Sequence, residues 1–223
     1  MVIEDGGKSR KLTETEKGKV VDEMYEASGI DKEVLEKNIE YKKYLDYLKS
    51  GEIKRVFSNV LSIEEEAILK FYTTNPGYKN FNKALRGEIP ITDFFRAQEN
   101  LMNQALDKLP NYKTNDLLFR IENLTESQIN TIYKKNEVIT NKHFTSSSYD
   151  IDAIAEAMRE RPYTIMVLIK DSKTGKKIEA LSTLKKEKEI IFKSNTEFIV
   201  ERVSIGTNPD TLEPIKTVIL KEK

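Results

Sequence analysis

The chain has 223 residues, 38% hydrophobic and 33% charged, enough to bury one substantial core. Its 37 basic and 37 acidic residues balance, which excludes a global field for holding nucleic acid or an anionic membrane; any anionic ligand needs a local site. With no cysteine and the single histidine His143, a disulfide framework and thiol catalysis are excluded, and no metal site is expected. The longest apolar run, around Tyr163 to Ile169, falls far short of the roughly 20 residues of a membrane span. No apolar leader core follows Met1–Gly7, so the expectation is a cytoplasmic protein or a mature or trimmed form of something larger.

The charged beginning to Lys11 reads as a terminus without order. Residues 14 to 50, with Val20, Val21, Met24 and Tyr25 and then Leu35, Ile39, Tyr44, Leu45 and Leu48 at helical spacing, predict two amphipathic helices broken at Ser28-Gly29 and Ser50-Gly51. Ser62 and Glu65 form a capping box opening a helix through Ala67, Ile68, Phe71 and Tyr72, which Asn75-Pro76-Gly77 is expected to stop. A short helix with Tyr78, Phe81, Asn82 and Leu85 follows, ended by Gly87. Thr92 precedes a helix with Phe94, Phe95, Leu101, Met102, Ala105 and Leu106 on one face, closed by Pro110. The period then changes. Leu117 to Phe119 predicts a short strand, Thr125 with Gln128 caps a helix, Phe144 borders another strand, and a helix surrounds Ile151, Ile154, Ala155 and Met158. Strands are predicted over Tyr163–Lys170, Glu189–Phe192, Thr196–Val203 and Ile215–Lys221. The layout is α+β, helices leading and a mostly antiparallel sheet following.

Three motifs stand in a telling order: Arg120 at the end of Leu117-Leu118-Phe119, Ser146-Ser147-Ser148 after Phe144-Thr145, and Glu187-Lys188-Glu189 before Ile190-Ile191-Phe192. Taken singly each has an ordinary explanation: a surface arginine with a packed stem, a serine-rich turn, a solvated charged strand edge. Together, in this order and beside predicted strands, they resemble the arginine/serine/glutamate class of mono-ADP-ribosyltransferases. Upstream, Tyr78, Asn82, Leu85 and Arg86 are similar to the Tyr-x-x-x-Asn-x-x-Leu-Arg helix of clostridial and insecticidal ADP-ribosylating toxins. The resemblance covers residues 60 to 221 and implies an N-terminal helical lobe packed on a two-sheet β-core with a cleft for NAD. The chain divides into a helical segment, residues 1–55, which is a docking segment, an immunity or delivery interface or, as its apolar faces favour, part of the helical lobe, and a catalytic domain, residues 56–223.

The resemblance also implies roles. Arg120 grips the dinucleotide phosphate, with Arg86, Asn82 and Tyr78 as further contacts. Ser146 braces the catalytic glutamate and touches the nicotinamide ribose, and Ser148, also a cofactor-side position, has a structural duty. Glu189 is the essential glutamate and Glu187 activates the acceptor. A Glu rather than Gln at the first position of the Glu-x-Glu favours an arginine acceptor. Arg159 and Arg161 lie in a segment matching a phosphate and nicotinamide loop, and residues 181–186 match the loop that contacts the target protein. On a strand, Glu187 and Glu189 point the same way roughly 6.5 Å apart. Cleaving the nicotinamide bond develops positive charge on the ribose, which a fixed carboxylate stabilises; the leaving group departs neutral, so no acid or metal is needed. A guanidinium to hold pyrophosphate and a second carboxylate for the acceptor complete the set. Departures from the family pattern are Ile121 after Arg120 where Gly is common, Leu184 where toxins that modify actin carry an aromatic, and Met158 where an aromatic often packs on nicotinamide.

The function implied is a secreted or delivered bacterial toxin or effector, an exoenzyme with NAD as co-substrate, acting in a target-cell cytoplasm on an unknown protein. The alternatives are an NAD glycohydrolase, against which the intact Glu187 argues, and a non-catalytic interaction module on the same fold.

Overall fold

The computed structural model describes the backbone of residues 2–5, 8–11, 13–183 and 185–223, and side chains at 13, 15, 16, 18–183 and 185–223. The expectation at Leu184 therefore lies outside the described residues.

Strands β1 (Val2–Asp5) and β2 (Lys8–Lys11) pair antiparallel where the charge pattern suggested no order. Six helices then form the lobe: α1 (Glu14–Ala27), α2 (Lys32–Glu36), α3 (Ile39–Ser50), α4 (Ile63–Tyr72), α5 (Asn75–Leu85) and α6 (Asp93–Lys108). Residues 14 to 50 give three helices, not the two expected, because Asp31 and Asn38 each cap a new start through a side-chain oxygen that accepts a backbone N–H. Ser62 and Glu65 make the predicted capping box, and Thr13 with Glu16 makes another. Tyr25, Leu35, Tyr41 and Leu45 share one core with Ile68, Phe71, Phe81 and Leu101, so the first helices are packed into the lobe. Phe71 is its centre, with the Tyr41 ring 6.3 Å and the Phe94 ring 6.2 Å away, both edge-on. Truncating such a residue to alanine costs about 3–5 kcal/mol.

Asn75-Pro76-Gly77 does not stop α4; it is the first turn of α5, capped by Thr74, with proline where a missing N–H is harmless. Gly77 is there for space. A Cβ at this position would fall 1.9 Å from the Phe71 carbonyl oxygen.

The second half holds β3 (Leu118–Glu122), α7 (Glu126–Ile132), β4 (Val138–Asn141), β5 (Thr145–Ser148), α8 (Ile151–Glu160), β6 (Ile165–Lys170), β7 (Lys176–Lys177), β8 (Glu189–Phe192), β9 (Thr196–Thr207) and β10 (Pro214–Glu222). Among the described residues, eight strands pair in the order β4-β9-β10-β6-β3-β5-β8-β7, antiparallel except for β10 with β6. The sheet has two parts: only Phe119↔Ser148 pairs β3 with β5, so five strands on one side and three on the other meet at a single residue pair. Leu118, Val167, Phe198 and Val218 fill the larger part's core. Phe144, Ile178, Leu181 and Ile191 belong to the helical core and join the smaller part to the lobe. Met158, read as a nicotinamide neighbour, is instead core: it is buried on α8 with Ile154, Met166 and Ile215. Among the described residues no helix is long and apolar enough to cross a membrane.

Candidate active site

The seam between the two parts of the sheet gathers the predicted chemistry. Arg120 on β3, Ser146 on β5 and Glu189 on β8 lie on three adjacent strands. The pairing Ser148↔Glu189 and Ser146↔Ile191 sets Ser146 diagonally from Glu189 on one face, and the Ser146 hydroxyl donates to Glu189 Oε1 at 2.7 Å. Glu189 is only 5% exposed. Burial pushes its carboxyl up to about 7, with the Ser146 hydrogen bond and Arg161 opposing and Glu187 adding to the rise. Arg120 Nη1 donates to the Ser146 carbonyl at 3.1 Å, and its Nη2 lies 2.8 Å from Glu122.

The two glutamates are not on one strand, contrary to expectation. Lys185–Glu187 forms a short 3₁₀ turn, Lys188 has φ 50°, and the strand begins at Glu189. The left-handed residue breaks the alternation that would have aligned the pair. Glu187 therefore stands at the rim, its side chain 34% exposed and 3.3 Å from Arg161 Nη2.

From the lobe, Asn82 Nδ2 donates to the buried Tyr72 hydroxyl at 3.1 Å, and that hydroxyl reaches the Phe144 carbonyl at 3.5 Å. Sequence reasoning placed Tyr72 only in the helix it predicted; no sequence signal marks its hydroxyl. Burial raises its pKa first, the Asn82 bond lowers it, and the charges of Glu189 and then Arg120 act in opposite directions, which ties it electrostatically to the site. His143, given no role from sequence, is held neutral: burial, then the fields of Arg120 and Arg86, push it down to about 3.

Other expected contacts are placed differently. Tyr78 donates to Asn75 Oδ1 at 2.9 Å, with its ring 6.4 Å from that of Tyr72. Arg86 is exposed and pairs with Glu88 at 2.5 Å. The Ser148 hydroxyl turns to its own loop, accepting from the Asp150 N–H at 3.0 Å. The segment of Arg159 and Arg161 is not a loop: α8 continues to Glu160, Arg161 is its C-cap, and Arg159 is drawn to Asp210 at 2.5 Å.

Do these residues fit a dinucleotide? Two buried polar atoms here have no partner among the described residues, the donor Arg120 Nε and the acceptor Asn82 Oδ1. Unpaired buried polar atoms are costly, and they suit a ligand that offers an acceptor to one and a donor to the other. A phosphate and a ribose hydroxyl or amide have that polarity. Depth alone does not mark the site: a depression of about 440 Å³ lies among Lys113, Asn115, Asp171 and Lys173, and no site residue lines it.

The sequence profile of the ADP-ribosyltransferase exoenzyme family matches residues 36–222. The NAD(+)–protein-arginine ADP-ribosyltransferase Tre1 of Pseudomonas putida (strain GB-1) is 32% identical over 151 residues, covering 67% of this chain and 28% of the relative. The chain spans less than a third of the length of the curated relatives it matches. The type III effector XopAI of Xanthomonas axonopodis pv. citri has a TM-score of 0.65 at 20% identity, covering 82% of this chain and 76% of that one. Exoenzyme S of Pseudomonas aeruginosa, solved with human 14-3-3 protein beta and Carba-NAD, has a TM-score of 0.64 at 17% identity, covering 89% and 88%. These two likenesses bear on the fold.

Proposed function

Since the chain belongs to the ADP-ribosyltransferase exoenzyme family, we propose that it is an NAD-dependent protein mono-ADP-ribosyltransferase acting on arginine. The observation that carries this reading is the buried Glu189 held by Ser146, beside an Arg120 whose Nε has no partner among the described residues. In this reading Glu189, braced by Ser146, faces the ribose and stabilises the positive charge that develops as the nicotinamide bond breaks. Arg120 holds a phosphate, with Asn82, Tyr78 and Arg86 as further contacts on the lobe side and Ser148 supporting the strand. Glu187 at the rim orients and deprotonates the acceptor guanidinium. Its pairing with Arg161 supports this role, since the carboxylate already holds a guanidinium at 3.3 Å. Arg159 and Arg161 keep a secondary part, available to a phosphate once released from Asp210 and Glu187.

Residues 1–55 belong with the helical lobe, and 56–223 carry the catalytic unit. The target protein docks at residues 181–186. Thr183 is tied to Thr73 by bonds of 3.0 and 3.2 Å, which anchors the loop, while Lys185 and Lys186 are exposed. The chain acts as a secreted or delivered effector in a target cell, a reading supported by its likeness to a type III effector.

The test is transfer of labelled ADP-ribose from NAD to a free guanidino acceptor, with nicotinamide release followed in parallel. Label on the acceptor, lost in Glu189→Ala, supports the transferase. Nicotinamide release without label makes the protein a glycohydrolase, and no turnover without NAD binding leaves a non-catalytic module.

A further inference from the structure

Lys188, between the two glutamates, has a left-handed backbone that any residue with a Cβ disfavours. Such a conformation persists only where its surroundings hold it. Here each part of the residue is held. The Lys188 N–H donates to the Lys185 carbonyl at 3.3 Å, and its own carbonyl accepts from the Tyr149 N–H at 3.4 Å. Its ammonium donates to Glu179 Oε1 at 3.0 Å.

Glu179 is the hub of this outer network. Its Oε2 accepts from the Tyr149 hydroxyl at 2.7 Å and lies 3.2 Å from Lys177 Nζ. Lys177 closes the ring, donating to the Tyr149 hydroxyl at 3.0 Å while lying 4.4 Å from the centre of the Tyr149 ring. Tyr112 stacks on Tyr149 at 5.8 Å, and the Ile178 N–H donates to the Glu189 carbonyl at 3.1 Å. The Tyr149 bond, with Lys188 and Lys177, overcomes partial burial and holds the Glu179 carboxyl at about 2. An isolated surface ion pair contributes little, but a closed network with a stacked aromatic fixes geometry.

We propose that Glu179 is a positioning residue: by anchoring Lys188 it fixes the left-handed turn between Glu187 and Glu189, and so sets how the cleaved ADP-ribose partitions between a guanidinium acceptor and water. The inference rests on the transferase reading above. In either outcome the bond from the ribose anomeric carbon to the nicotinamide nitrogen breaks, and its electron pair leaves with nicotinamide. A new bond forms to a guanidino nitrogen, whose proton passes to Glu187, or to water, whose proton passes to solvent. Glu189 serves both paths, whereas Glu187 serves the first, so a loosened turn penalises transfer selectively.

The experiment compares wild type with Glu179→Gln and Lys188→Met, using NAD and a free guanidino acceptor, and reads transfer, nicotinamide release and KM for NAD, with thermal melting as a fold control. The expected result is a fall of about tenfold or more in transfer, since small misplacements of a reacting group are costly. Nicotinamide release and KM for NAD stay within about twofold of wild type, and Lys188→Arg restores most of the transfer by keeping a cation at Glu179. Equal falls in transfer and release, or no change in either variant, overturn the inference while an active wild type leaves the transferase reading standing. An inactive wild type overturns both.

Discussion

Glu189 and Glu187 are two residues apart, yet one forms the floor of the site and the other its rim. The floor is built by the sheet: Glu189 opens β8, is buried, and is bound to Ser146 on the neighbouring strand. The rim is built by a 3₁₀ turn and a left-handed lysine, and it leaves Glu187 partly exposed against Arg161. A desolvated, fixed carboxylate suits charge that develops at one point, as on the ribose. A solvent-facing one that already pairs with a guanidinium suits an acceptor that must arrive and leave. In the proposed reading, two chemically identical side chains thus receive separate tasks from their backbones.

The largest effect expected from this comparison is at the floor. Glu189→Gln should lower nicotinamide release and transfer together by about 100-fold or more, since it removes a preorganised charge. A loss confined to transfer, in the same parallel assay, would erase the distinction between floor and rim.

The floor should also titrate. Because burial holds Glu189 at about 7 and the ionised form is the one required, kcat/KM for NAD should rise about tenfold per pH unit below that point and level off above it. A flat profile between pH 5.5 and 8.5 would contradict this. Ser146→Ala sharpens the point. Losing one hydrogen bond should reduce kcat/KM by about tenfold, and, because that bond lowers the Glu189 pKa, the midpoint should move to higher pH.

A further effect is on stability rather than rate. Glu189 has a raised pKa in the folded state, so its favourable protonated form is fully present below the unfolded value and is lost as pH rises through about 7. At pH 8 the buried charge costs stability. Glu189→Gln should then be more stable than wild type by on the order of 1–3 kcal/mol and melt higher, an advantage that shrinks toward pH 5. Equal melting shifts at both pH values would show that the site does not hold a strained charge.

Sequence reasoning reached the floor better than the rim, for physical reasons. Capping boxes at Ser62 and Thr125 are local, and the structure has both. The strand Glu189–Phe192 is a short apolar run with its ends marked, and it appears with those bounds. Lys188 has neither glycine nor asparagine to announce a positive φ; its partners Glu179, nine residues before it, and Tyr149, on another element, are contacts that no local pattern marks. Arg161 meets Glu187 across 26 positions, a contact no periodicity carries. The segment of Arg159 and Arg161, which the resemblance implied to be a loop, is mostly helix because the predicted helical face of Ile154 and Met158 stays buried to the end of α8. Gly77 looked like a breaker, yet it is an allowance for close packing against α4 that only the assembled lobe displays. Strand β4 alternates exposed and half-buried residues at the sheet's edge, and its Val138-Ile139 pair is too short an apolar run to stand out.

The division of labour is tested most directly by the partition ratio in Glu187→Gln: labelled ADP-ribose on a free guanidino acceptor, divided by nicotinamide released, as the acceptor is titrated. A ratio that falls about tenfold or more at every acceptor concentration, with nicotinamide release kept within about threefold of wild type, is the predicted result for a change made at the rim alone. A ratio equal to that of wild type, with both reactions reduced alike, would contradict it and make the two glutamates one catalytic unit.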